Sequence, residues 1–297
     1  MQDNSKSRML KKIVHGKIEP AMSFIVGFIW RAEYGFLSLK WKLQGGKRPN
    51  KEEQSEVVNQ VTFIYKSFER QKMAKRLFKS IQHYYPGVQV IIADDSKKSL
   101  QLCSPYLKVI QLPFNSGLSY SMNQALKEVK TPFLVRLDDD MLLTPFSKIG
   151  TQIDFLNRHP EIDLVGLLPC TVPQCNSPEI AAKEYYPISM SNAPKSLLIP
   201  HMTKIDDSHV VVGKSPNIYV ARTCKIKMIG WDDNIRMMDH NEFFMRAAGN
   251  LVSTIDTTSI VFHYPNHFDR NYMKYRSDVQ ADQIYIANKY SKVSNKK

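Results

Sequence analysis

Residues 132–143, PFLVRLDDDMLL, contain a short apolar run, Phe133–Leu137, that ends directly on three consecutive carboxylates, Asp138, Asp139 and Asp140. Three like charges in a row repel and raise one another's pKa unless a cation is present. Such a density of oxygen ligands suits Mg²⁺ or Mn²⁺, which commonly also takes phosphate oxygens from a substrate. An acidic turn closing a strand is the bland alternative, and the sequence on either side decides between the two.

Upstream, Val61–Tyr65 (VTFIY) reads as a strand. Gln71–Tyr85 reads as a helix, with Met73, Leu77, Ile81 and Tyr84 at the spacing of one helical face and Pro86–Gly87 ending it. Val88–Ala93 and Leu107–Leu112 read as further strands, and Ser119–Val129 as a helix. Strand and helix alternating at this pace predict an α/β fold, one domain with a mostly parallel central sheet. In such sheets ligands gather at the carboxyl ends of the strands. Here those ends carry Lys66–Arg70, Asp94–Asp95–Ser96 and Asp138–Asp140, so acids from two strands face one crevice. Neither GxxxxGK[ST] nor a GxGxxG after the first strand occurs, which disfavours P-loop kinases and dinucleotide dehydrogenases. The stretch Asn115–Asn123 (NSGLSYSMN) leads instead into a helix. There Gly117 permits close backbone approach, and the exposed N–H groups of a helix start favour anions.

The 297 residues are 43% hydrophobic and 23% charged, ordinary for a globular chain with a sizeable core. The net charge of +13 is unevenly placed: +7 over residues 1–50, +5 over 270–297, and +1 over everything between. A nucleic-acid partner would call for charge on the folded core, so none is expected. The longest apolar run near the start, Ala21–Trp30, is about half the 20 residues or so of a membrane span. With Trp30, Phe36, Trp41, Lys40, Lys42, Lys47 and Arg48 it forms a basic amphipathic segment suited to an anionic membrane surface; the alternative is a helical hairpin packed on the domain's flank. Gly45–Pro49 and the KEEQSE run after it read as a linker, and residues 270–297 as a basic tail, solvated or making a second electrostatic contact. Cys103, Cys170, Cys175 and Cys224 show no metal-site spacing, although Cys170 and Cys175 could pair across a loop. No N-glycosylation sequon is present, and a cytoplasmic setting, at most peripheral on the inner membrane face, is expected.

The ordered set VTFIYKSFER, VIIADDS, NSGLSYSMNQAL and PFLVRLDDDMLL is matched in the second half by Gly230-Trp231-Asp232, Met238–Arg246 and Ser259–Tyr264. Over about residues 60–265 this resembles the GT-A glycosyltransferases of family 2 type, most of all the ganglioside-type β-1,4-N-acetylgalactosaminyltransferases and their bacterial relatives. The resemblance implies a GT-A domain over residues 51–269, a UDP-sugar donor of N-acetylhexosamine type and a glycan or lipid-linked acceptor in surface polysaccharide or lipo-oligosaccharide synthesis. It further implies inversion at the anomeric carbon and dependence on Mn²⁺ or Mg²⁺. Carried over, Asp94 contacts the uracil and Asp138 the ribose, with Lys66, Asn115 and Gly117 also on the donor nucleotide. Asp140 and His263 are then metal ligands.

The family-2 pattern Glu-Asp-x-Glu-Phe reads Asp239-His240-Asn241-Glu242-Phe243 here, so His240 stands where an Asp is usual. That departure moves the base role to Asp239 or Glu242. The ganglioside-type resemblance, which carries the same His-x-Glu-Phe-Phe, implies Glu242, with Asp239 as the alternative. Trp231, Asp232 and Tyr185 are candidates for sugar or acceptor contact, and residues 170–216, rich in Pro, Ser and Asn, for an acceptor loop. Two rival readings are weaker. A nucleotidyltransferase calls for a glycine-rich basic loop that the SFER turn lacks, and a non-enzymatic anionic-polymer-binding module calls for charge spread over a folded face.

Overall fold

The computed structural model describes residues 19–171, 195–265, 269–276 and 279–294. The first strand, β1 (Val61–Ser67), is buried along nearly its whole length, as a run apolar on both faces should be when helices cover both sides of a parallel sheet. It pairs in parallel with β2 (Gln89–Asp94) on one side and β4 (Phe133–Arg136) on the other, and β2 pairs in parallel with β3 (Leu107–Gln111). Beyond β4 come β8 (Tyr219–Arg222), β6 (Leu164–Thr171), β9 (Ser253–His263) and β5 (Met141–Leu143), with β7 (His209–Val211) also on β9. Because β8 is antiparallel to both β4 and β6, while β9 is parallel to β6, six of the nine strands among the described residues point the same way. The result is the mostly parallel sheet expected.

Alternation along β1 splits the core into two layers. Phe63 and Tyr65 pack against α3 (Gln71–Tyr84) and α5 (Ile149–Arg158). Ile64 faces α4 (Leu118–Glu128), with α6 (Thr223–Ile229) and α7 (Asp239–Ala247) in the same layer. The expected helices and strands up to β4 recur within a residue or two.

Three expectations are corrected. The KEEQSE stretch is a helix, α2 (Lys51–Gln60), and not a linker: the Asn50 side chain accepts from Glu53 N at 2.8 Å, Glu52 and Glu53 sit in the first turn, and Val57 is buried. That is an N-cap with dipole-matched charge, and it outweighs the polar composition. The segment before it is one continuous helix, α1 (Glu19–Leu43), rather than a hairpin. Its Trp30 and Trp41 turn inward onto Phe262, Leu142 and Tyr264, so they are core rings and not interfacial ones. The C-terminal segment folds back as α8 (Arg270–Arg276) and α9 (Gln280–Ser294) instead of trailing as a solvated tail. Asp282 of α9 accepts from the backbone N–H groups of Arg236, Met237 and Met238, which pins that helix against the start of α7.

Candidate active site

A cavity of about 530 Å³ opens at the carboxyl ends of β1 and β4, lined by Asp138, Asp139, Asp140, Asp239, His240 and His263 among others. The three acids after β4 meet Asp239 of α7 where a parallel sheet offers its crevice, whereas Asp94 and Asp95 at the end of β2 do not line it.

One wall is built from the loop before α4. Asp95 is fully buried and takes an ion pair from Lys66 Nζ at 2.8 Å. Its Oδ2 also accepts from Gly117 N at 3.2 Å, and its carbonyl accepts from Asn115 N at 2.9 Å. Burial raises the Asp95 pKa, with Lys66 working against it, and lowers that of Lys66, with Asp95 working against it. Gly117 has φ +102°, and a Cβ there would stand 3.1 Å from Cα of Arg236, so glycine is required by both conformation and space. Lys66, Asn115 and Gly117 all line the cavity. Asp94 does not: its Oδ1 accepts from Ser96 Oγ at 2.6 Å, its Oδ2 accepts from Leu100 N at 2.6 Å, and it has no exposed surface. It organises the turn after β2.

The floor is an alternation of acids and arginines. Arg136, fully buried, reaches Asp138 Oδ1 at 3.0 Å and stands 4.0 Å from Asp239 Oδ2. A guanidinium without exposure requires such partners. Arg70 bridges Asp139 and Asp140, the latter at 3.1 Å, and its guanidinium lies 3.7 Å from the ring centroid of Tyr272 on α8. Burial pushes the Asp139 pKa up, helped by its acidic neighbours and opposed by Arg70. Burial also acts on Asp140, but Arg70, His263 and Arg276 outweigh it and hold that carboxylate below its ordinary value.

Asp140 Oδ1 is buried, accepts no hydrogen bond, and has His263 Nε2 at 3.7 Å. A carboxylate oxygen beside an imidazole nitrogen is a donor set that suits a divalent cation. Among the described residues no group of three or more such ligands is assembled.

The first turn of α7 separates the two candidate bases. Asp239 is almost fully buried yet lines the cavity, and burial, moderated by Arg136, raises its pKa to about 6. Glu242, one turn on, points away from it: its Oε1 accepts from Arg246 Nε at 2.7 Å, Lys289 Nζ at 2.6 Å and Tyr290 Oη at 3.1 Å. His240 also lines the cavity; its Nε2 donates to Ser215 O at 2.7 Å, and burial beside Lys214 drops its pKa to about 3, so it is neutral.

Trp231 is buried, stacked on Phe243 at 5.4 Å, with its backbone held by Asn123. Asp232 accepts from Lys289 Nζ at 2.6 Å and Tyr285 Oη at 2.9 Å. Neither lines the cavity, and Tyr185 lies outside the described residues, as does Cys175. Several cavity residues were not singled out from sequence: Arg70, Arg236, Tyr272, Tyr275 and Arg276. Arg136, which pairs with two of the site's acids, was missed as well. An Arg inside an otherwise apolar strand was a usable signal for it, since arginine is almost never fully buried unless paired. Nothing local marks the α8 residues.

The curled, mostly parallel α/β sheet with a crevice at its strand ends matches the fold of solved glycosyltransferases. Staphylococcus aureus TarS superimposes with TM-score 0.52 at 20% identity, over 69% of this chain and 37% of TarS. The mannosyltransferase PcManGT of Pyrobaculum calidifontis, solved with GDP-Man and Mn²⁺, superimposes with TM-score 0.51 at 14% identity, over 89% and 75%. Residues 62–183 match Glycosyl transferase family 2. The chain carries a family 2 glycosyltransferase domain homologous to β-1,4-N-acetylgalactosaminyltransferases. Human β-1,4 N-acetylgalactosaminyltransferase 1 is 31% identical over 199 residues, 64% of this chain and 36% of that one. The mouse β-1,4 N-acetylgalactosaminyltransferase 2 is 26% identical over 251 residues, 80% and 47%. The chain therefore spans less than half the length of either relative.

Proposed function

We propose that this protein is an inverting, metal-dependent glycosyltransferase that moves an N-acetylhexosamine from a UDP-sugar to a hydroxyl of a glycan or lipid-linked glycan. The observation that carries the reading is the meeting of Asp138, Asp140, Asp239 and His263 in one cavity beside the Gly117 loop. Homology to N-acetylgalactosaminyltransferases supports the sugar class, as does a neighbouring fold, TarS, solved with UDP-GlcNAc.

In this reading the Gly117 loop and Lys66 receive the nucleotide end of the donor, and Asp138 a ribose hydroxyl. Asp140 and His263 would hold a divalent cation, which would supply charge neutralisation for the departing diphosphate. Asp239 is the base. It accepts the proton of the acceptor hydroxyl as that oxygen attacks the anomeric carbon from the face opposite UDP. A pKa of about 6 leaves it ionised near neutrality while keeping it basic enough for the task. Arg136 steadies the carboxylate before transfer.

The test is UDP release from UDP-N-acetylhexosamines with Mn²⁺ and a panel of glycan acceptors. Asp140→Ala and His263→Ala should weaken Mn²⁺ binding, read directly by titration calorimetry. Asp239→Asn should keep UDP and Mn²⁺ binding and lose transfer. Full transfer by Asp239→Asn, or unchanged Mn²⁺ affinity in both ligand variants, would refute these assignments.

A further inference from the structure

Helix α1 buries one side and leaves the other apolar and bare. Trp30, Leu37 and Trp41 face the domain, whereas Phe24, Phe28, Phe36 and Leu43 are 64–81% exposed and Leu39 is 58% exposed. At about 100° per residue these exposed side chains fall within one arc of roughly 120°, diametrically opposite the buried stripe. Arg31 and Lys42 lie along one edge of that arc and Lys40 along the other, all exposed. The sequence leading into the helix adds Lys6, Arg8, Lys11, Lys12 and Lys17. No helix of the described residues is long and apolar enough to cross a membrane, and the inward tryptophans tie α1 to the fold along its length.

We infer that this outer face of α1 docks in the plane of an anionic lipid bilayer, with the Phe and Leu side chains at the acyl boundary and the flanking cations on lipid phosphates. A protein partner would be served by the apolar stripe alone. Cations on both of its edges, with a basic leader before it, match a surface that is apolar within and negatively charged at its rim.

The helix is also coupled to the cavity. The Trp30 ring lies tilted at 55° against that of Tyr264, 3.8 Å between centroids, and the Tyr264 N–H donates to Asp140 O at 2.9 Å, next to His263. Docking would therefore set the cavity at a fixed height above the lipid surface. The inference stands apart from transfer activity, since lipid binding is read without donor or acceptor.

The experiment is flotation of the full chain with phosphatidylcholine vesicles, with and without phosphatidylglycerol. Wild type should float with the anionic vesicles, and salt should weaken the association. The combined Phe24→Ser, Phe28→Ser, Phe36→Ser and Leu43→Ser variant should lose about tenfold or more of that binding at an unchanged melting temperature, because each site is exposed. Combined Arg31→Gln, Lys40→Gln and Lys42→Gln should lose the preference for anionic over neutral vesicles. Absence of wild-type binding, or binding unaltered by the apolar substitutions, would overturn the inference. So would a wild-type dimer that the Ser variant converts to monomer without any vesicle association, since a second copy would then cover the face.

Discussion

Asp239 Oδ2 stands 4.0 Å from Nη2 of Arg136, close enough to feel the buried guanidinium and too far to be tied to it by a hydrogen bond. That oxygen has no hydrogen-bond partner. Glu242, one turn along the same helix, is by contrast held by three donors. Each carboxylate keeps one oxygen without a hydrogen-bond partner, Glu242 its Oε2, so a free lone pair does not separate them. What does is that Asp239 lines the cavity where an acceptor hydroxyl must come, and Glu242 does not.

Asp239→Asn is expected to cut transfer by about 10²–10⁴-fold with UDP affinity retained, measured by steady-state kinetics beside calorimetric UDP binding. In wild type, kcat should fall as pH drops through about 6, where Asp239 takes up a proton. The stability consequence has the opposite sense. A carboxyl whose folded pKa is raised favours the folded state below its unfolded pKa near 3.8 and loses that contribution as pH rises through about 6. The Asn variant should therefore be more stable than wild type above that pH, by order of 1–3 kcal/mol in urea unfolding, with the gap closing toward pH 4.

Glu242→Gln should behave as a packing defect. Gln retains one acceptor oxygen but not the charge opposite Lys289 and Arg246, at a cost of about 1–3 kcal/mol in chemical denaturation. Transfer per folded molecule should remain within several-fold of wild type. A loss as deep as that of Asp239→Asn would return the base role to Glu242.

Arg136→Met leaves Asp138 and the buried Asp239 without their cation. Removing one partner of a buried ionic group costs about 3–5 kcal/mol, and thermal melting at neutral pH reads it. The deficit should shrink as pH falls through about 6 and Asp239 takes up a proton.

Gly117→Ala forces a side chain onto a φ of +102° and against the Arg236 backbone. Strain of this kind costs about 1–3 kcal/mol. Because Gly117 N is also bonded to Asp95, the loop should shift and KM for the UDP-sugar should rise more than kcat falls.

The β1, α3, β2 and β4 elements were legible in the sequence because their signals are local: apolar runs, helical spacing and Pro–Gly punctuation act over a few residues. Helix α2 was misread because its charged composition hid an Asn50 cap whose effect is geometric. Asp94 and Asp95 look equivalent as a pair after a strand, yet a strand turns successive side chains to opposite sides. One carboxylate closes its own turn, and the other takes Lys66 and the Gly117 loop.

By itself the sequence determined the α/β class, the acids at the strand ends and the nearly neutral middle between two basic flanks, all consequences of local pattern and composition. Tertiary structure alone decided which acid faces the cavity. Asp239 and Glu242 share one helix turn, and they are distinguished by Lys289 and Tyr290, which reach Glu242 from a helix about 50 residues further along the chain. It also decided the fate of the flanking charge. Part of the C-terminal excess is neutralised inside the fold by Asp232 and Glu242, while the cations of α1 remain on the surface, on either side of a bare apolar stripe.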